Sequence, residues 1–177
     1  MKKVLVLITL FLFSCISMSV TAQDSKKEAK DLKKDGQYQS LLNLINTQQY
    51  VFRGNKAIPQ NGPQIDLTTR DNFLRINKEI AVADLPYFGR AYSGGYSTGD
   101  GGVNFDGLMD TYDVVKNDKK RRASIKLKVK GKDDTYTCTL TVSGINTASL
   151  SVISNKRQTI TYIGIITELA EENTQKE

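Results

Sequence analysis

Ile125-Lys126-Leu127-Lys128-Val129-Lys130 and, after a turn, Tyr136-Thr137-Cys138-Thr139-Leu140-Thr141-Val142 alternate apolar and polar side chains without a break. A period of two marks a strand with one face in a core and the other in water. The pattern continues with Ala148, Leu150 and Val152 between serines, and with Ile160, Tyr162, Gly164 and Ile166 as a last face. Gly131-Lys132-Asp133-Asp134, Ser143-Gly144-Ile145-Asn146 and Ser154-Asn155-Lys156-Arg157 carry turn chemistry between these runs. The breaks recur about every 12 to 14 residues, the spacing of consecutive hairpins, so the order is an antiparallel meander.

Upstream the same period is weaker. Tyr50-Val51-Phe52-Arg53 opens a strand, Ile65 and Leu67 alternate, and Phe73-Leu74-Arg75-Ile76, Ile80-Ala81-Val82, Val103-Asn104-Phe105 and Tyr112-Asp113-Val114-Val115 follow. Before Tyr50 the period is helical, because Tyr38, Leu41, Leu42 and Ile45 fall at i, i+3, i+4 and i+7 on one stripe. Lys26 to Lys34 is almost all charge and Gly36 interrupts it. A firm helix is therefore expected from about Gln37 to Thr47, behind a ragged start, with its stripe docked on the sheet. The fold class is mainly β with one N-terminal helix. About eight twisted strands with one apolar face curl or close, which also removes sticky edges. An open or closed barrel is expected, with a two-sheet sandwich as the alternative.

The front of the chain reads as an export signal. Lys2 and Lys3 precede an apolar run from Val4 to Phe13, and Val20-Thr21-Ala22 offers a cut before Gln23. The run is shorter than the roughly 20 residues that span a bilayer, and no later stretch is apolar enough. Leu12-Phe13-Ser14-Cys15 is a competing reading, a lipobox whose cysteine would be acylated. The expected organisation is a signal peptide over 1–22, a helix over 23–48, an antiparallel β domain over 49–168 and a flexible acidic tail over 169–177. The expected location is the periplasm, or the outer membrane if Cys15 carries lipid. If Cys15 leaves with the signal, Cys138 has no partner for an intramolecular disulfide, and its strand pattern reads it as a small buried hydrophobe.

Composition narrows the chemistry. The 177 residues include no histidine, which excludes Ser–His–Asp and Cys–His nucleophiles and histidine-ligated metals. Catalysis, metal and cofactor are therefore not expected. Asp100, Asp106, Asp110 and Asp113 are close enough in sequence to suggest a carboxylate hydrolase, although nothing in their spacing makes them converge. Gly94-Gly95-Tyr96-Ser97-Thr98-Gly99-Asp100 has the glycine spacing of a phosphate loop but an aspartate where the lysine belongs. Asn104-Phe105-Asp106-Gly107 echoes a calcium loop whose first ligand position would be Gly102, which has no side-chain oxygen.

Two features remain as candidate sites. Seven of the thirteen glycines lie between Gly89 and Gly107, among Tyr87, Phe88, Tyr92, Tyr96 and Phe105. Glycine permits close backbone approach, and aromatics supply contact area with a hydroxyl handle. Tyr87, Phe88, Arg90, Tyr92 and Tyr96 are candidate ligand contacts, with Arg90 as the cation for a carboxylate or phosphate. The bland alternative is that this stretch bends a strand and covers one end of a barrel. The second feature is basic charge. The chain carries +6 formally, and losing Lys2 and Lys3 leaves +4. Lys126, Lys128 and Lys130 share one outward face, a candidate contact for anionic glycan or membrane. It also reads as a solvated face. Nucleic acid is not an expected partner, because no aromatics interleave with these lysines.

Leu85-Pro86-Tyr87-Phe88-Gly89-Arg90-Ala91-Tyr92, then Gly102-Val103-Asn104-Phe105, and near the end Ala148, Leu150, Val152, Ser154, Arg157, Ile160, Tyr162 and Gly164 stand in the order and spacing of a known family. The chain resembles, over roughly Tyr38 to Ile166, the exported bacterial family catalogued as domain of unknown function 4251. The resemblance implies an envelope-associated or periplasmic protein of Gram-negative bacteria. It implies no activity.

Overall fold

A computed structural model describes residues 18–90, 92, 101–132, 134–144 and 146–170. Most of the signal segment, Cys15, Tyr96, Asp100 and the end of the acidic tail lie outside the described residues. The chain divides into two units, one ending at Gln37 and one running from Tyr38 onward.

Helix α1 (Met18–Thr47) continues through Gly36 rather than starting after it. Within the second unit its apolar stripe is buried, with Tyr38, Leu41, Leu42 and Ile45 at most 8% exposed. Gln48 takes a left-handed backbone (φ 52°) and turns the chain into the first strand.

Among the described residues nine strands follow: β1 (Gln49–Pro59), β2 (Ile65–Asp66), β3 (Phe73–Asn77), β4 (Ile80–Leu85), β5 (Val103–Asn117), β6 (Arg122–Lys130), β7 (Thr135–Ser143), β8 (Thr147–Ser154) and β9 (Ile160–Glu168). All pairings are antiparallel: β1–β3, each consecutive pair from β3 to β9, and β9 back to β1. The result is a closed eight-strand barrel, with β2 as one extra short strand on β1. The barrel expectation holds and the sandwich does not.

Closure requires β1 to bend. Its register with β9 shifts between Gly54 and Lys56, which leaves Asn55 as an extra residue. Asn72, buried at 3% exposure, pairs with the bulge as a strand would. Its Oδ1 accepts from Gly54 N at 2.8 Å, and its Nδ2 donates to Gly54 O at 2.9 Å. Opposite Gly54 in register stands Gly164. A Cβ on Gly164 would overlap the Arg53 carbonyl oxygen and come within 2.9 Å of Gly54 Cα.

Eight strands enclose a space that side chains just fill. Here Tyr50, Phe52, Leu74, Ile76, Ile125, Leu127, Leu140, Leu150 and Tyr162 are fully buried in one cluster with the helical stripe. The alternation read from Ile125 to Ile166 is the alternation of buried and outward residues in β6 to β9. Cys138 points inward, and burial pushes its thiol up to about 12.

The helical residues from Tyr38 to Thr47 cover one barrel end. Tyr38 Oη donates to Asp118 Oδ1 at 2.9 Å in the short 3₁₀ turn Asp118–Lys120. The Tyr50 and Tyr112 hydroxyls meet at 3.0 Å, and Tyr112 Oη reaches Ile45 O at 3.4 Å. Burial raises all three phenols above their ordinary range.

Two outcomes follow. Gly164→Ala should cost about 3 kcal/mol, because backbone must move to admit one methyl. Gly144→Ala, which meets open space at φ 62°, should cost about 1 kcal/mol of left-handed strain. Urea unfolding monitored by circular dichroism checks the difference. The second concerns alkali. Cys138, Tyr50 and Tyr162 hold protons in the fold that the unfolded chain releases, the thiol from its ordinary 9.0. Their contribution should be constant at neutral pH and fall as pH rises through 9 and the unfolded chain loses protons. Replacing Cys138 with Ala should make that fall shallower by up to about 1.4 kcal/mol per pH unit between 9 and 12.

Candidate functional site

The barrel end opposite the helix gathers Pro59, Leu85 and the residues after it, the turn Gly131–Asp134 and the connection after Ser154. Tyr87 organises it. Its hydroxyl lies 3.0 Å from the carbonyl oxygens of both Arg90 and Gln158, and its ring lies under the Arg157 guanidinium at 5.2 Å. Arg157 Nη1 donates to Gly101 O at 3.0 Å and to Gly102 O. Backbone bonds add to this, from Tyr92 N to Lys156 O at 2.7 Å and from Gln158 N to Arg90 O at 3.1 Å. Below, Tyr162 Oη donates to Pro86 O at 2.9 Å, and the Phe105 and Tyr136 rings lie 5.3 Å apart. Burial pushes the Tyr87 phenol up, and the Gln158 backbone and the Arg157 charge oppose the rise. Tyr87 is therefore a protonated hydrogen-bond donor at neutral pH.

Beside Tyr87 an open cleft of about 340 Å³ is lined by Arg70, Asp71, Asp84, Leu85, Pro86, Tyr87, Phe88, Gly101, Gly102 and Asn104. The lining is apolar at Pro86 and Phe88 and polar at Arg70, Asp84 and Asn104, whose amide nitrogen, turned toward Asp84, donates to its Oδ1 at 2.9 Å. Asn72 holds the turn that presents Arg70: Arg70 N donates to Leu67 O at 3.1 Å, and Asn72 Nδ2 donates to Arg70 O at 3.0 Å.

The sequence candidates divide at this end. Tyr87 and Phe88 line the cleft. Arg90 is exposed and contributes its carbonyl, while Tyr92 is 66% exposed; neither lines the cleft. Tyr96 lies outside the described residues. The cation in the cleft is Arg70, which sequence reasoning missed. Arg157 anchors the segment, and its place in the C-terminal signature was the available signal.

Asp106 and Asp113 stand outward and exposed on β5, about 23 Å apart at the rise of an extended strand, so they do not converge. Asp110 is exposed near the β5 bulge. Among the described residues no three His, Cys, Asp or Glu side chains are grouped for a metal. Lys126, Lys128 and Lys130 are exposed on β6, with Asp113 facing Lys126 across the strand pair and threonines facing all three from β7.

These features define a small closed antiparallel barrel, with a helix over one end and a mixed polar and aromatic cleft at the other. The model of the family described as Domain of unknown function (DUF4251) matches residues 32–166, and the chain belongs to that family. A crystal structure of a DUF4251 family protein from Bacteroides eggerthii DSM 20697 is similar at TM-score 0.59 and 20% identity, covering 77% of this chain and 91% of that one. That likeness is one of fold. No curated protein matches the chain.

Arg157→Ala should free the Gly101–Gly102 carbonyls and uncover one face of Tyr87. Amide exchange in residues 101–103 should speed up at least tenfold, with exchange in β6 to β8 unchanged. Arg157→Lys should not rescue it, because a lysine lacks the planar fork that stacks and donates together.

Proposed function

We propose that this protein is an exported, non-catalytic envelope protein that binds a small amphipathic ligand in the cleft beside Tyr87 and Phe88. The observation that carries this reading is the cleft itself. Its volume of about 340 Å³ stands within the range of small-molecule sites, roughly 300–1,000 Å³. Its mixed lining suits a molecule with an apolar and a polar part. Phe88 and Pro86 take the apolar part. Arg70 offers a fork for an anion or a polarised oxygen, and Asp84 with Asn104 reads hydroxyl or amino groups. The barrel interior is occupied by its own side chains, so the ligand sits at the end rather than within.

Export rests on the N-terminal pattern of Lys2, Lys3 and the apolar run to Phe13, with the periplasm as destination, or the outer membrane by way of Cys15. Among the described residues no helix is long and apolar enough to cross a membrane.

Mass spectrometry of the protein recovered from its own cell envelope tests both parts. The denatured mass should correspond to a chain beginning at Gln23; an acylated chain beginning at Cys15 would replace the first localisation with the second. The native mass should exceed the denatured one by a cargo that Arg70→Ala and Phe88→Ala both reduce at least tenfold. Cargo retained in both variants, or no cargo with any fraction of the native envelope extract, would overturn the cleft as the site.

A further inference from the structure

The outward-alternating positions of β7, β8 and β9 are threonine, serine and isoleucine, and the one charged residue of the three strands, Glu168, is exposed at the last position of β9, opposite Tyr50. In a chain that is 25% charged, a face three strands wide, about 14 Å at ordinary strand spacing, carries no charge before Glu168 at its edge. Within it, Ile153 is 50% exposed and Ile165 is 41% exposed. Ile58, 39% exposed on β1, joins them from the neighbouring strand, opposite Thr161 and diagonal to Ile163.

Cations border this face on both sides. Lys126, Lys128 and Lys130 stand on β6, facing the threonines of β7. Arg53 and Lys56 stand on β1, in register with Ile165 and Ile163. Carboxylates are set outside these rows: Asp113 beyond Lys126, Asp66 beyond Lys56, and Asp71 beyond Arg53 at 4.0 Å. The order from centre to edge is isoleucine and hydroxyl, then cation, then carboxylate.

The geometry points to an anionic bilayer surface as the occupant of this face. Exposed isoleucines enter the acyl boundary, hydroxyls donate to ester and phosphate oxygens, and the flanking cations meet headgroup phosphates. A second copy packed face to face would set cation rows near cation rows. A glycan would find no ring to stack on, because Tyr136 and Tyr162, the aromatics of the three strands, are buried on the inner face. The inference is independent of the cleft, which lies at the barrel end.

Flotation with vesicles tests it, using phosphatidylcholine alone and equal parts phosphatidylcholine and phosphatidylglycerol. Each variant is compared with the parent chain bearing the same N-terminus, so that any leader or acyl contribution cancels. The parent should bind the mixed vesicles and release as salt is raised. The triple change K126Q/K128Q/K130Q should weaken binding about 100-fold, at the usual contribution of a cation near such a surface. I153D/I165D should weaken it at least as much. L108D, at an apolar position 66% exposed on β5, should leave it unchanged. All these positions are exposed, and a matching thermal midpoint confirms that each variant is folded. Binding indifferent to I153D/I165D, equal loss in L108D, or preference for a soluble anionic polysaccharide over the vesicles would overturn the assignment. So would a dimer that forms in solution and dissolves in I153D/I165D, which would make the occupant a second copy.

Discussion

At Gly54 and Gly164 the first and last strands of the barrel meet with no side chain between them. That contact closes the ring, and most of the architecture depends on it. Strands whose edges stay unpaired invite association, and closure alone removes the edges altogether. The close approach forces β1 to bulge at Asn55, and a bulge leaves backbone groups unpaired in a dry place. Asn72 supplies both the donor and the acceptor that Gly54 needs, and Leu67 N donates to Asn55 O at 2.9 Å. A buried polar group left without a partner costs about 1–3 kcal/mol, so the bulge persists because one amide side chain is aimed at it.

The same amide connects closure to the cleft. Asn72 Nδ2 also donates to Arg70 O, and Leu67 O is within 3.4 Å of it. The turn from Leu67 to Asn72 is thus held to the barrel wall by the residue that stabilises the bulge, and it presents Arg70 and Asp71 at the cleft. The arrangement puts a loop cation on a rigid support, which is what a binding site requires of its scaffold. The far end is built differently. There three phenols lie among the helix, β5 and the 3₁₀ turn with their protons held by burial, and they secure the cap.

Legibility followed the range of the interactions. Alternation is local, so the runs from Ile125 to Ile166 gave their strands and faces directly, and the i, i+3, i+4, i+7 stripe gave the helix. Closure is not local. Gly164 sits in an apolar alternation, and only its register partner, 110 residues earlier, explains why it has no side chain. Asn72 carries no local signal for the same reason, because its partner Gly54 is 18 residues earlier. At the cleft, Tyr87 and Phe88 were legible because they concentrate aromatic area beside glycines. Arg90 shared that segment and was chosen as the cation, but its side chain is exposed while its carbonyl does the bonding. Arg70 reaches the cleft from the turn before β3 and Asn104 from the start of β5, and no spacing rule links them to Tyr87.

Charge shows the same division. A count gives +6, which suggests a basic surface, but register shows how the charges are placed. Asp113 on β5 is opposite Lys126, so part of the lysine row is offset along one side. On the other side the row faces threonines and then a wide uncharged sheet. A cation beside a carboxylate is screened in water, whereas a cation beside hydroxyl and isoleucine keeps its field and lies next to surface that costs little to dehydrate. The side of the lysine row that matters is therefore the one facing β7. What looked like a run of basic residues is, in the folded barrel, the rim of an uncharged face.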